Sequence, residues 1–294
     1  MLDHRTRPRD RRNGRPPPFR RIVCALEPSS AAVEQTLALA GPGGHVVFVA
    51  PWGTSAEHAI ERAHAAGVEA GVEYATARLG DVLLSRARRH DLVVVGAHSH
   101  ARLTGIMLSD AATLLVHRSP SPVLIARERP LARGVLVATR AVPADRPAVE
   151  TAARIAVHLD AHLTVLHVAA KGERRDELAA ELAGARALLG RPLDPVEAGG
   201  APASAIVQTA DGDGAGLVVV GSGARLGLGA LRSVSERVAH LAPCSVLVLR
   251  SAERPRRPSR RAPRSSAPRT SPGPRARPAA RSRPGRPPAR SAAR

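Results

Sequence analysis

The chain has 294 residues, a net charge of +19 from 44 Lys and Arg against 25 Asp and Glu, and 44% apolar but only 1% aromatic side chains. That apolar fraction excludes a wholly disordered chain, and two cysteines exclude a disulfide framework. The charge sits at the ends: residues 1–21 hold eight Arg against Asp3 and Asp10, residues 251–294 hold fourteen Arg against Glu253, and residues 22–250 hold 22 basic and 22 acidic residues. The high isoelectric point thus belongs to the termini, and is no evidence for a basic groove on the folded middle.

In chain order, residues 1–20 read as a basic arm. Arg11 and Arg12 resemble a twin-arginine signal, but the apolar run after them is short, is broken by Glu27 and fits a strand instead. Ile22–Leu26 is that strand, followed by a helix over Ser30–Ala40 and a second strand in HVVFVA from His45. A weaker strand, EYATA from Glu73, and a helix over Asp81–Arg89 lead to a buried fourth strand in LVVVG, ending at Gly96. The same succession then returns: a strand over Val135–Thr139, a helix over Pro147–Leu159, HLTVLHV from His162, LDPVE from Leu193, a helix over Pro202–Ala210, and LVVVG ending at Gly221.

The repetition is most literal from Asp91 to Arg127 and from Gly216 to Arg250, where each copy has a buried strand, a loop, a helix and a further strand after a proline. An internal repeat of this length marks one structural module used twice. Continuously apolar strands separated by helices imply parallel pairing through right-handed crossovers. The fold class expected is therefore α/β: two tandem doubly wound, Rossmann-like five-stranded parallel sheets flanked by helices. The expected boundaries are a disordered basic arm at 1–20, domains at 21–128 and 133–250, and a disordered Arg/Pro-rich tail at 251–294. A ligand crevice, if used, lies beyond the C-terminal ends of the first and fourth strands of a half.

The strands ending VVVG, the small-residue loops, and the SVSERVAHLAPCSVLVLR segment resemble the universal stress protein family in its tandem form, over about residues 20–250. The resemblance implies a nucleotide loop of Gly, two residues, Gly, nine residues, Gly, then Ser or Thr. In the first half Gly96 fits, but Ser99 and Ser109 stand at the second and third glycine positions and Asp110 at the hydroxyl position. In the second half Gly221 fits, Ala224 and Arg232 replace the later glycines, and the loop is shorter before Ser233. The acid that ends the first strand in nucleotide-binding members has a counterpart in Glu27 but is replaced by Arg140 in the second copy. Glycine lets backbone N–H groups approach an anion at a helix N-terminus, so each replacement weakens a phosphate cradle. The candidate nucleotide loop is Gly221, Ser222, Gly223, Arg225, Ser233 and Ser235, with Glu27, Gly96, Ser99 and Ser109 as a degenerate first-half set.

Simpler roles exist for the same residues. Glycine after a buried strand serves the tight turn into a helix, and Ser233, Ser235 and Asp110 read as helix N-caps. His98 and His100 lack a third ligand at metal spacing, and DGDG at Asp211–Gly214 lacks the rest of a calcium loop, so no metal is expected. No catalytic nucleophile or metalloprotease motif occurs, and Cys24 and Cys244 read as small buried residues.

The tail from Ser251 has no Leu, Ile, Val or aromatic residue, so nothing offsets the cost of ordering it. Lys171 is the only lysine, so the tail also fits a general bias toward Arg, Ala, Gly and Pro. The expectation is a non-enzymatic, cytoplasmic stress-response protein without strong ATP binding, built as an internal pseudo-dimer through Val123–Ala126 and Val246–Leu249, with further homodimerisation open. The alternatives are an ATP-binding sensor using the second loop, a nucleic-acid-associated or acidic-partner-binding protein acting through its tails, and, weakest, a slow phosphohydrolase. No segment reaches a membrane-spanning length.

Overall fold

The order in which apolar runs appear along the chain sets the order of the layers. β1 (Arg21–Ala25) and β2 (His45–Pro51) are joined by α1 (Ser30–Ala40), and β2 is followed by α2 (Glu57–Ala65) and β3 (Glu69–Ala75). α3 (Leu79–Ala87) leads into β4 (Leu92–Gly96), and α4 (Asp110–Arg118) into β5 (Val123–Ala126). A short 3-10 turn at Leu131–Arg133 connects to the second half. There β6 (Val135–Thr139), α5 (Arg146–Leu159), β7 (Leu163–Val168), α6 (Arg175–Leu189), β8 (Pro195–Ala198), α7 (Pro202–Gly212), β9 (Leu217–Ser222), α8 (Val234–Leu241) and β10 (Ser245–Arg250) repeat the pattern. The computed structural model describes residues 16–26, 30–97, 108–168, 175–222 and 233–250. Of the stretches expected to be disordered arms, 1–20 and 251–294, residues 1–15 and the whole of 251–294 lie outside the described residues, while 16–20 are described.

Local chemistry accounts for the element ends. Pro147 and Pro202 sit in the first turns of α5 and α7, where a missing N–H costs nothing. α5 stops at Asp160, which adopts the left-handed conformation at φ 53° and closes the helix through N–H bonds to Ala156 and Val157 carbonyls. β3 starts four residues before the EYATA segment, and β8, Pro195–Ala198, takes only the last three residues of LDPVE and runs one beyond it. Both are edge strands with weak apolar patterns, which is why their limits are hard to read.

The two five-stranded sheets are joined edge to edge into one ten-stranded sheet of order β3-β2-β1-β4-β5-β10-β9-β6-β7-β8. Every pairing is parallel except the central one, where β5 and β10 run antiparallel. Leu124 faces Leu247 in that register, with Val123 opposite Val248 and Ile125 opposite Val246. This is the internal pseudo-dimer expected from the last strands of the two repeats. Each half supplies the other with the strand neighbour that an edge would otherwise lack.

One face of the sheet carries α1, α2, α5 and α6 over a core that includes Phe48, Leu124, Val137, Ile155 and Leu247. The other carries α3, α4, α7 and α8 over Leu83, Leu115, Ile125, Ile206 and Val246. Both cores cross the joint between halves. Burial of Leu124 and Leu247, each fully shielded, contributes on the order of 2 kcal/mol apiece. On the first face His158 of α5 donates from Nε2 to the Ala38 carbonyl of α1 at 2.9 Å. Phe19, which the sequence reading left in the arm, is 6% exposed and packs into the first core, because an aromatic side chain two residues before β1 is within reach of it. Cys24 and Cys244 are buried free thiols, and burial pushes the Cys244 thiol up to about 11. No helix among the described residues is long and apolar enough to cross a membrane.

The joint is fastened by arginines exchanged between halves. Arg127, just after β5, is 7% exposed and donates to the Cys244 carbonyl at 3.0 Å and the Ala239 carbonyl at 2.5 Å, at the end of α8. Burial holds its guanidinium down to about 10. Arg250, the last residue of β10, donates to the Val116 carbonyl at 3.2 Å and to the His117 carbonyl at the end of α4. Each helix terminus, where orphan carbonyls concentrate negative charge, thus receives a cation from the other copy. Between them Ser245 Oγ donates to Gln35 Oε1 at 2.9 Å and accepts from the Arg127 N–H at 2.9 Å.

Candidate functional site

The strand order reverses between β1 and β4 in the first half and between β6 and β9 in the second, so a crevice opens at the C-terminal ends of those strands. Gly96 ends β4 and is buried; Gly221 and Ser222 end β9, beside Leu249 and Arg250 of β10. Glu27, Ser99, Gly223 and Arg225, together with His98 and His100, lie outside the described residues.

Ser109 is the N-cap of α4, its Oγ accepting from the Ala112 N–H at 3.1 Å. Asp110, read from sequence as the cap, is instead the first helical residue; the serine before it has the extended backbone that a cap needs. Ser233 is the N-cap of α8 and accepts from the Glu236 N–H at 3.2 Å. Ser235, also read as a cap, is 3% exposed inside the first turn, with its Oγ 3.0 Å from that of Ser233. The shortening of the second copy is shared between loop and helix, since α4 has nine residues and α8 eight. Asp110 and Glu236 place an acid in the first turn of each helix, so the positive end of each dipole already has a carboxylate. Glu236 also approaches His117 of the first half, Oε1 to Nε2 at 3.5 Å.

Ser222 differs from its neighbours. Its Oγ is shielded from solvent and has no partner among the described residues. A buried hydroxyl without a hydrogen bond is uncommon and is a feature that suits a ligand.

The second crevice holds a polar network absent from the candidate set. Arg140, at the position of the family's acid, donates from Nε to Asp145 Oδ2 at 3.0 Å and from Nη2 to Oδ1 at 2.6 Å, while its backbone N–H donates to Oδ2 at 2.9 Å. Asp145 is 3% exposed, and the fork-on-carboxylate geometry holds the Arg140 guanidinium above its usual range. Ala141, next in the chain, takes a left-handed backbone at φ 53° and donates its N–H to Thr139 Oγ1 at 3.0 Å. Thr139 donates in turn to Glu181 Oε2 at 2.7 Å. Glu181 reaches in from α6, is 1% exposed and leaves Oε1 without a partner; burial pushes its carboxyl up, against the opposing Thr139 hydrogen bond. His167, the register neighbour of Thr139 on β7, is also buried, with Nδ1 unpartnered. A signal for Glu181 existed, because it shares the spacing of Leu178, Leu182 and Ala185 and so breaks the buried stripe of α6.

These residues fit a triphosphate poorly. The cap hydroxyls are committed to their own helices, and the strand-end cation is committed to Asp145. Among the described residues no group of three His, Cys, Asp or Glu could hold a metal ion.

The fold and the paired crevices define a class, the two-module α/β proteins whose halves associate through their last strands. The sequence profile of the Universal stress protein family matches residues 53–127 and again 132–250, and the chain belongs to that family. Among solved structures it is similar to a universal stress protein from Archaeoglobus fulgidus, with 17% identity over 81% of this chain and 98% of that one and a TM-score of 0.63. A putative universal stress protein from Pseudomonas aeruginosa UCBPP-PA14 gives 21% identity, coverage of 79% and 93%, and a TM-score of 0.62. A functionally unknown protein from Pseudomonas aeruginosa PAO1 gives 21%, the same coverages and 0.61. At these identities the likeness is one of fold. No curated protein matches the chain.

Proposed function

We propose that the chain is a non-enzymatic stress-response or regulatory protein that acts through partners and binds ATP weakly if at all. The observation that carries this reading is the Arg140–Asp145 pair, a cation locked at 2.6 Å to a buried carboxylate where nucleotide-binding members of the family are expected to present an acid. Arg140 and Asp145 are tied to each other, which suits a structural role better than a reacting one. Thermal unfolding tests the reading. A ligand at a thousand times its Kd adds about 4 kcal/mol to stability, so millimolar ATP with magnesium raises the midpoint by several degrees if affinity is micromolar. The expected shift is within error of zero.

A second reading, a nucleotide sensor built on the second loop, is favoured by the unpartnered Ser222 Oγ. In that case ATP stabilises the chain and Ser222→Ala diminishes the effect, while the midpoint without ligand stays close to that of the unaltered chain.

A further inference from the structure

The charges of residues 22–250 cancel in sum, but the sheet sorts them. β1, β4 and β5 are parallel and β10 runs against β5, so the starts of the first three and the end of β10 share one edge. Extending the register by one or two residues puts Arg21, Asp91, Ser121 and Arg250 in one line across four neighbouring strands. The exposed arginine side chains gathered along it are Arg20 and Arg21 at β1, Arg88 and Arg89 after α3, and Arg118 at the end of α4. The acid in the line, Asp91, is engaged: it accepts from the Arg20 and Arg21 N–H groups at 3.2 and 3.0 Å and from Arg21 Nη2 at 3.2 Å.

Arginines collect at helix C-termini to complement the dipole, but here the terminal carbonyls have other donors. In α3, His90 Nδ1 bonds the Arg86 carbonyl at 2.8 Å and Ser121 Oγ the Ala87 carbonyl at 2.6 Å. In α4, Arg250 serves the Val116 and His117 carbonyls. Arg88, Arg89 and Arg118 have neither an ion pair nor a side-chain hydrogen bond among the described residues. They are surplus to the needs of the fold.

We propose that this edge binds the phosphate backbone of double-stranded nucleic acid without regard to sequence. Three strand spacings span about 14 Å, a length over which a duplex carries about eight phosphate charges. Guanidinium forks suit phosphate oxygens bidentately. A lipid surface is the poorer match: none of the exposed large apolar side chains, Trp52 and Tyr74 included, belongs to the row, so nothing there would enter the acyl region. The Arg-rich residues 1–15 precede Arg20 in sequence, and the Arg-rich residues 251–294 follow Arg250.

The test uses the full chain and fluorescence anisotropy of a labelled duplex of about 24 base pairs over a range of salt. Arg88→Gln, Arg89→Gln and Arg118→Gln are combined in one variant; Arg78→Gln, Arg133→Gln and Arg154→Gln, which remove the same charge away from this edge, are combined in another. Both keep the terminal arginines, so the difference between them isolates the row. The edge variant is expected to lower the slope of log K against log salt by about 2 to 3, near 0.9 per lost contact, with the slope of the second variant near that of the unaltered chain. Equal losses in both variants, or no duplex binding by the unaltered chain, overturn the proposal. So does an edge variant that loses affinity for phosphatidylserine vesicles while its duplex binding persists.

Discussion

At the residue that precedes the fourth strand of each half, the first copy has Asp91 and the second Gly216. Asp91 fastens the start of β1 through three hydrogen bonds. Gly216 has no room for any side chain: a Cβ there would stand 1.9 Å from the Pro130 carbonyl oxygen. The cause is connectivity. The second half is entered through the segment around the 3-10 turn, and Gly216 and Leu217 donate to the Gly134 carbonyl at 2.9 and 3.1 Å, which presses that segment against the strand. Two copies of one module therefore share their cores but not the duties of corresponding positions, because the segment that links the halves presses on Gly216 in the second, whereas in the first Asp91 meets the Arg20 and Arg21 N–H groups.

The strongest way to break this comparison is to exchange the demands. Gly216→Ala is expected to destabilise by about 3 kcal/mol or more, since backbone rather than a flexible side chain must move. Asp91→Ala costs about 1 kcal/mol, the loss of a partly exposed capping acid. Denaturant midpoints at constant m-value compare the two, and a Gly216→Ala loss no larger than that of Asp91→Ala contradicts the account.

The exchanged arginines give a smaller contrast. Arg127→Ala leaves the Ala239 carbonyl of α8 and the Cys244 carbonyl before β10 without their charged donor and is expected to cost about 2 to 3 kcal/mol. Arg250, less buried, is expected to cost about 1 kcal/mol as alanine. Urea unfolding of the two variants should preserve that order; a reversed order means that the joint is held mainly by the arginine of the second half.

Smallest of these effects is that of Glu181. Its carboxyl is pushed up by burial, so its protonation favours the folded state; the gain is complete below the ordinary carboxylate range and is lost as pH rises through the elevated value. Glu181→Gln keeps an acceptor for Thr139 and removes the charge. It is expected to raise stability near pH 7 by roughly 1 kcal/mol and to leave it nearly unchanged near pH 4. Melting curves at the two pH values decide it: equal effects at both mean that the residue is not titrating.

Much of the fold was legible because its signals are local. Continuous apolar strands, the LVVVG repeat and the prolines before VLIAR and VLVLR indicated two parallel modules joined by their last strands. The edge strands β3 and β8 were blurred because every side chain they carry is exposed or only partly buried. The crevice was less legible. Arg140 could be seen as a replaced acid, yet its partner Asp145 lies across a turn, and Glu181 is brought in by a helix more than forty residues along the chain. Net charge carried the least spatial information. A sum of zero over residues 22–250 hid the row at Arg20, Arg21, Arg88, Arg89 and Arg118, because summation ignores which ends of parallel strands share an edge.

The central claim, that these crevices have departed from nucleotide binding, is tested most directly by calorimetric titration of ATP with magnesium into the full chain. The account predicts no saturable heat up to about millimolar nucleotide, a free energy weaker than about −4 kcal/mol. Saturation near one nucleotide per chain at micromolar affinity contradicts it, and would mean that the loop after Gly221 cradles a phosphate despite the locked Arg140.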